Sequence, residues 1–196
     1  GDDKTYYFDD IVAYKAERCY ADFEGPGLVF QGLDGVLTAP VDNPGANSIN
    51  SSTKCAKYEK SNTHAYSLIL ADNGAPLDLS VYNQFKIKVY ATAPTQLLFK
   101  LEGTGGGFEK IKNIAVTGVW QEYTFDFSAQ AANTGLSKVI LFFDPGVETS
   151  GDTYYFDDVC AVPNPCPGAV ANPEMLDDFE CNRTAVYAGD WSYLSV

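Results

Sequence analysis

The sequence contains a single histidine, His64, and only 13 lysines and arginines against 26 acidic residues. One imidazole cannot build a His-rich zinc site, and no Cys-x₂-Cys pair is present to replace it. The HExxH and GxSxG signatures of metal-dependent and serine hydrolases are also missing. Gly103-Thr104-Gly105-Gly106-Gly107 lacks the Lys-Ser/Thr that completes a phosphate-binding loop, so it reads as a hairpin loop between two strands. Among 26 acids no facing pair of glycosidase carboxylates can be singled out. No set of side chains converges on a reaction, and the chain is expected not to be an enzyme.

The scarcity of basic residues leaves a net charge of −13. Phosphate affinity needs clustered Lys and Arg, so a nucleic-acid partner is not expected. The acidity fits a solvated extracellular surface, or a few carboxylates that hold a hard cation. No run approaches the ~18 apolar residues of a membrane span, so membrane insertion is not expected either. Gly1-Asp2-Asp3-Lys4 carries no leader pattern and runs into a strand-like stretch, as in a chain that begins inside a longer protein. No window sustains a 3.6-residue period, so helix is expected to be scarce.

What is abundant points to strands. There are 13 Tyr and 12 Phe, with 17 Gly and 10 Pro to break the chain into turns. Phe85, Ile87 and Val89 alternate with Lys86 and Lys88, and Leu97, Phe99 and Leu101 with Leu98, Lys100 and Glu102. Tyr123, Phe125 and Phe127 alternate with Thr124 and Asp126, and Tyr66, Leu68 and Leu70 make another strand. Val139, Leu141 and Phe143 alternate with Ile140 and Phe142, which predicts a strand buried on both sides. Eight to ten such strands predict an all-β jelly-roll β-sandwich.

The chain also repeats itself. Thr5-Tyr6-Tyr7-Phe8-Asp9-Asp10-Ile11 recurs as Thr153-Tyr154-Tyr155-Phe156-Asp157-Asp158-Val159, each copy preceded by Gly-Asp. Asp22-Phe23-Glu24 recurs as Asp178-Phe179-Glu180. The first element reads as the last strand of a repeat and the second as the first strand of the next. Residues 1–14 then close a preceding repeat and 15–165 form a complete one. Residues 166–196 hold a Pro-rich linker and open a third.

The five cysteines suit an extracellular disulfide set. Cys160 and Cys166 are placed to clip a Pro-rich turn, and Cys19 and Cys55 to pair, which leaves Cys181 for a partner beyond the C-terminus. Spacing alone does not fix this connectivity. Asn50-Ser51-Ser52 and Asn182-Arg183-Thr184 are glycosylation sequons. If the first and last strands lie side by side, Glu24 and Asp157 or Asp158 meet at the sandwich edge. There they either bind calcium or merely solvate strand ends and discourage edge pairing.

The central repeat resembles carbohydrate-binding-module-like jelly rolls found in large secreted proteins of the Bacteroidetes type. The resemblance rests on Asp22-Phe23-Glu24, Val41-Asp42-Asn43-Pro44, Lys54-Cys55-Ala56-Lys57-Tyr58 and Pro76-Leu77-Asp78-Leu79-Ser80. It continues through Phe85–Tyr90, Phe99–Glu102, Trp120–Phe127 and Leu141–Gly146. It implies a galactose-binding-like sandwich with a structural calcium near the first and last strands, held by Glu24 and Asp157, with Asp22 and Asp158 in reserve. Relatives place an aromatic before an Ala-Gly pair where this chain has His64 and Tyr66, a departure that weakens sugar stacking.

Two functions follow. In the first, the repeats are calcium- and disulfide-stiffened beads of a secreted or cell-surface fibre or adhesin, whose partners are neighbouring repeats and other copies. In the second, each repeat binds glycan weakly, through Tyr66, His64, Tyr90, Lys100 and Glu102, and gains avidity in series. The short first linker and the missing aromatic favour the first.

Overall fold

A computed structural model of the chain describes residues 17–163, 186–187 and 194–195. Two compact units are present: Ala16–Pro163, and Gly1–Lys15 together with Asn164–Val196. In the latter, Val186–Tyr187 and Leu194–Ser195 pair as a short antiparallel ladder.

The Ala16–Pro163 unit is a β-sandwich of two antiparallel sheets. Its strands are β1 (Arg18–Ala21), β2 (Gln31–Leu33), β3 (Val36–Asp42), β4 (Lys54–Glu59), β5 (Leu68–Asp72) and β6 (Tyr82–Ala91). They continue as β7 (Thr95–Gly103), β8 (Gly106–Ile114), β9 (Trp120–Asp126), β10 (Leu136–Phe143) and β11 (Thr153–Pro163). One sheet runs β3-β4-β11-β6-β9, with β1 also paired to β11; the other runs β2-β5-β10-β7-β8. A 3₁₀ turn at Ser128–Gln130 is the only helical element among the described residues.

The period-two sequence pattern explains the core. Phe85, Ile87 and Val89 of β6 face Leu97, Phe99 and Leu101 of β7 across the interior. Phe99 packs at 5.0 Å from Phe125 and 5.5 Å from Phe85, and Phe143 stacks on Tyr154 at 4.5 Å. Rings at these separations add favourable edge and offset contacts to the area they bury. The end of β7 is crowded by the start of β10: Gly103 lies so close to the 135–136 backbone that a Cβ would sit 2.0 Å from the Gly135 carbonyl.

The repeated Thr-Tyr-Tyr-Phe-Asp-Asp motif is β11, a central strand. Its first half, Thr153–Phe156, pairs with β4, and Val159–Ala161 pairs with β1 on the same side, while β6 lines the other. Asp158, at φ 46°, marks the bulge between the two halves, where an extra residue breaks the register with β6.

Two sequence expectations change. The first strand is Arg18–Ala21, and Asp22-Phe23-Glu24 is the turn after it. Asp22 Oδ1 accepts the N–H groups of Glu24 and Gly25, which ends the strand. The disulfide is Cys19–Cys160 rather than the pairs Cys19–Cys55 and Cys160–Cys166. Cys19 and Cys160 are register partners on β1 and β11, Cα atoms 3.9 Å apart, whereas Cys55 sits on β4 as a buried free thiol. Cys166 and Cys181 lie outside the described residues, as do residues 1–14 and the Asn182 sequon. β10 is sheltered on both sides, as its sequence predicts: Val139, Leu141 and Phe143 point into the core, and on the other face Ile140 is buried and Phe142 partly buried.

Candidate functional site

The acids expected to hold calcium divide into two groups. The loop from Asn43 to Thr53 joins β3 to β4 and is fastened by buried amides. Trp120 Nε1 donates to Asn43 Oδ1 at 2.9 Å, and the fully buried Asn50 donates its Nδ2 to Asp157 Oδ2 at 2.8 Å. Asp157 is itself sealed from solvent, and burial pushes its carboxyl up to about 6. Its other partner is a neutral donor, the Asp158 N–H.

At the far end of the same loop Glu24 accepts the Lys54 N–H at 2.7 Å, the Thr53 N–H at 2.5 Å and the Thr53 hydroxyl at 3.1 Å. These donors, the Lys54 N–H foremost, hold its carboxyl below the usual range. Glu24 and Asp157 therefore grip opposite ends of Asn50–Lys54. Asp22 is used in its own turn, and Asp158 forms an ion pair with Lys88.

Among the described residues, the only three His, Cys or carboxylate groups whose ligand atoms gather within 4.8 Å are Glu17, Cys19 and Cys160, and that pair of cysteines is oxidised. Glu24 and Asp157 carry the oxygen chemistry that a hard cation takes, but the partners they meet here are mainly N–H donors, Asn50 Nδ2 and the Asp158 N–H on Asp157 and the Thr53 and Lys54 N–H groups on Glu24. Asp22 and Asp158 do not join them. The Asn50 sequon is occupied by this network, since its amide nitrogen is the one that holds Asp157.

The second feature is the outward face of the sheet β2-β5-β10-β7-β8. Registers place Leu33 beside Leu68, and Phe142 beside Leu98 and Leu98 beside Ile111. The next row across runs Gln31, Leu70, Ile140, Lys100, Glu109. Leu98 and Ile140 lie outside the core cluster yet are only 9% and 6% exposed, so this face shelters an apolar band of its own.

Polar groups bound that band at both ends. Gln96 and Asn113, paired across β7 and β8, join side-chain amides at 3.1 Å and stay exposed. At the other end Lys138 stands between Asp72 and Glu102. Lys100 bonds Glu102 at 2.6 Å and approaches Glu109 at 3.6 Å; these carboxylates, Glu102 first, raise its ammonium's pKa.

Tyr66 precedes β5 on the same parity as Leu68 and is 67% exposed. Its loop is riveted from beneath by Lys60. Lys60 is 4% exposed, and its ammonium donates to the carbonyls of Val147 at 2.5 Å, Ser61 at 3.1 Å and His64 at 3.4 Å. The Gly146 N–H bonds the Ala65 carbonyl, so the loops before β5 and after β10 form one platform. His64 is exposed there, its Nδ1 beside the hydroxyls of Ser61 and Thr63.

Of the five residues expected to contact glycan, Lys100 and Glu102 share this face, and Tyr66 and His64 share the platform that precedes β5. Tyr90 lies on the other sheet, packed edge-on against Trp120 and Tyr155. Sequence reasoning missed Gln96, Asn113 and the apolar band. Their signal was present in the strands whose apolar residues occupy both parities, Leu97-Leu98-Phe99 above all.

No protein-family model matches the chain, and no curated protein does. Solved structures do match. An exo-β-agarase aligns with a TM-score of 0.60 at 16% identity over 76% of this chain, and a second agarase with 0.59 at 13% over 77%. The chain spans a quarter of the length of each. A family 11 carbohydrate-binding module from a Clostridium thermocellum cellulosomal cellulase aligns with a TM-score of 0.55 at 10% identity, over 78% of this chain and 97% of that one. A family 29 carbohydrate-binding module aligns with 0.51 at 10%, over 74% and 84%. The chain has the β-sandwich fold of carbohydrate-binding modules. No helix among the described residues is long and apolar enough to cross a membrane.

Proposed function

We propose that the Ala16–Pro163 unit is a glycan-binding module of a secreted or surface protein and that its binding face is the outward side of β5, β10, β7 and β8. The observation that carries this reading is the sheltered apolar band around Leu98, Ile140 and Phe142, bounded by the Gln96–Asn113 amides and the Lys100–Glu102–Glu109 cluster. Sugar rings offer apolar C–H faces and hydroxyl rims, and a band of this kind matches both.

The ligand class is a neutral glycan. Lys100 is already neutralised by two carboxylates, and a chain of net charge −13 repels polyanions at long range. The similarity to whole carbohydrate-binding modules supports binding over a purely structural role, which the sequence alone ranked first. The repeated strand motif supports weak sites acting in series within a longer array, next to sister repeats. A structural calcium ion, bound through Glu24 and Asp157 with oxygens of the 50–53 segment, would hold the loop over β11.

Affinity electrophoresis tests the reading. The chain should be retarded by at least one neutral polysaccharide among agarose, mixed-linkage β-glucan, xylan and mannan, and not by alginate. Free migration in all of the neutral gels overturns it.

A further inference from the structure

The Cys19–Cys160 bond closes a loop of almost the whole unit: its partners are 141 residues apart in sequence and face each other on the first and last strands. Only Glu17 and Arg18 precede it, and Ala161–Pro163 follow it, among the described residues of the unit. The repeated motifs show that the chain runs into this unit from one sister segment and out into another.

A pull along such a chain enters at Arg18 and leaves at Ala161. Within two residues of either end it meets the sulfur bridge. We infer that the Cys19–Cys160 bond is a mechanical bypass, which carries tension straight across the unit and leaves the 141-residue loop unloaded. The sandwich inside the loop then keeps its shape whatever the array bears.

The matching positions in the flanking copies of the two motifs do not hold cysteine. Cys160 follows Val159 at the end of the motif, where the first copy has Val12 after Ile11. Cys19 stands three residues before Asp22, where the second copy has Met175 before Asp178. Neither flanking segment carries the cysteine that the same clasp requires.

The test is single-molecule force spectroscopy on the full chain, tethered through a marker domain at each end. The oxidised chain should show no lengthening step near 500 Å, the contour of 141 residues at about 3.5 Å each. The same chain in dithiothreitol, and a Cys19→Ser/Cys160→Ser variant, should both show that step. Non-reducing peptide mapping should recover Cys19 joined to Cys160. A full-length step from the oxidised chain, or a map that joins either cysteine elsewhere, overturns the inference. If the double variant does not fold, the oxidised and reduced wild-type traces still decide it. Glycan binding plays no part in the readout.

Discussion

Leu97 and Leu98 are neighbours on β7 that point to opposite faces of their sheet: Leu97 enters the core beside Phe99, and Leu98 lies in the apolar band on the outer side. The two leucines separate stability from binding. Leu97→Ala should cost about 2–5 kcal/mol, as large-to-small changes in close-packed cores do. Leu98→Asp should leave the chain folded and remove its retardation in a neutral polysaccharide gel. Far-UV circular dichroism with urea unfolding checks the first, and gel mobility the second. A Leu98→Asp variant that binds like wild type would move the site off this face.

Asp157 gives a pH dependence. Its folded carboxyl titrates near 6, above the ordinary 3.8, because burial disfavours its charge. Its contribution to stability is therefore complete below pH 4 and is lost as pH rises through 6. About two units of separation correspond to about 3 kcal/mol. Asp157→Asn removes this titration. In chelator, wild type should lose stability relative to the variant between pH 4 and pH 7.5, measured by urea unfolding. A constant difference across that range would contradict the assignment.

Calcium should reverse that loss. An ion against Asp157 stabilises its ionised form, so at pH 7.5 calcium should raise the melting temperature and chelator should lower it again. Glu24→Ala should shrink the response, because Glu24 anchors the far end of the same loop. A melting curve indifferent to calcium in wild type rejects the ion.

Lys60→Met removes a buried donor from three carbonyls. Orphaned buried acceptors typically cost about 1–3 kcal/mol. Faster amide exchange at residues 61–67 and 144–147, with β6 and β7 unchanged, is the expected signature. Uniform exchange across the sandwich would mean that Lys60 does not act as a local rivet.

The strands were legible because half-buried strands write their alternation into the sequence, as Phe85-Lys86-Ile87-Lys88-Val89 does. So was the burial of β10 on both faces, because Ile140 and Phe142 are as apolar as the residues they alternate with, and Ile140 is itself buried. The disulfide was hidden because strand order decides which distant cysteines meet, and sequence proximity suggested nearer pairs. Of the expected calcium ligands, Glu24 and Asp157 share a loop, a relation visible only once Asn50 and Thr53 are placed. Asp158 pairs instead with Lys88 because β11 bulges there.

The fastening of Asn50 also constrains how the protein can be made. Asn50 begins an acceptor sequence for N-linked glycans, and its partner Asp157 lies 107 residues downstream. At ribosomal rates of about 5–20 residues per second, Asn50 waits roughly 5–20 s before that partner exists. A secretory pathway that glycosylates during synthesis finds the amide free in that interval. A sugar added there is far too large for a side chain that must end fully buried against Asp157, and the loop cannot close. Production in bacteria avoids the conflict, and in a glycosylating host Ser52→Ala, which ends the acceptor sequence but keeps the Asn50 amide, should recover more folded protein than the unaltered sequence.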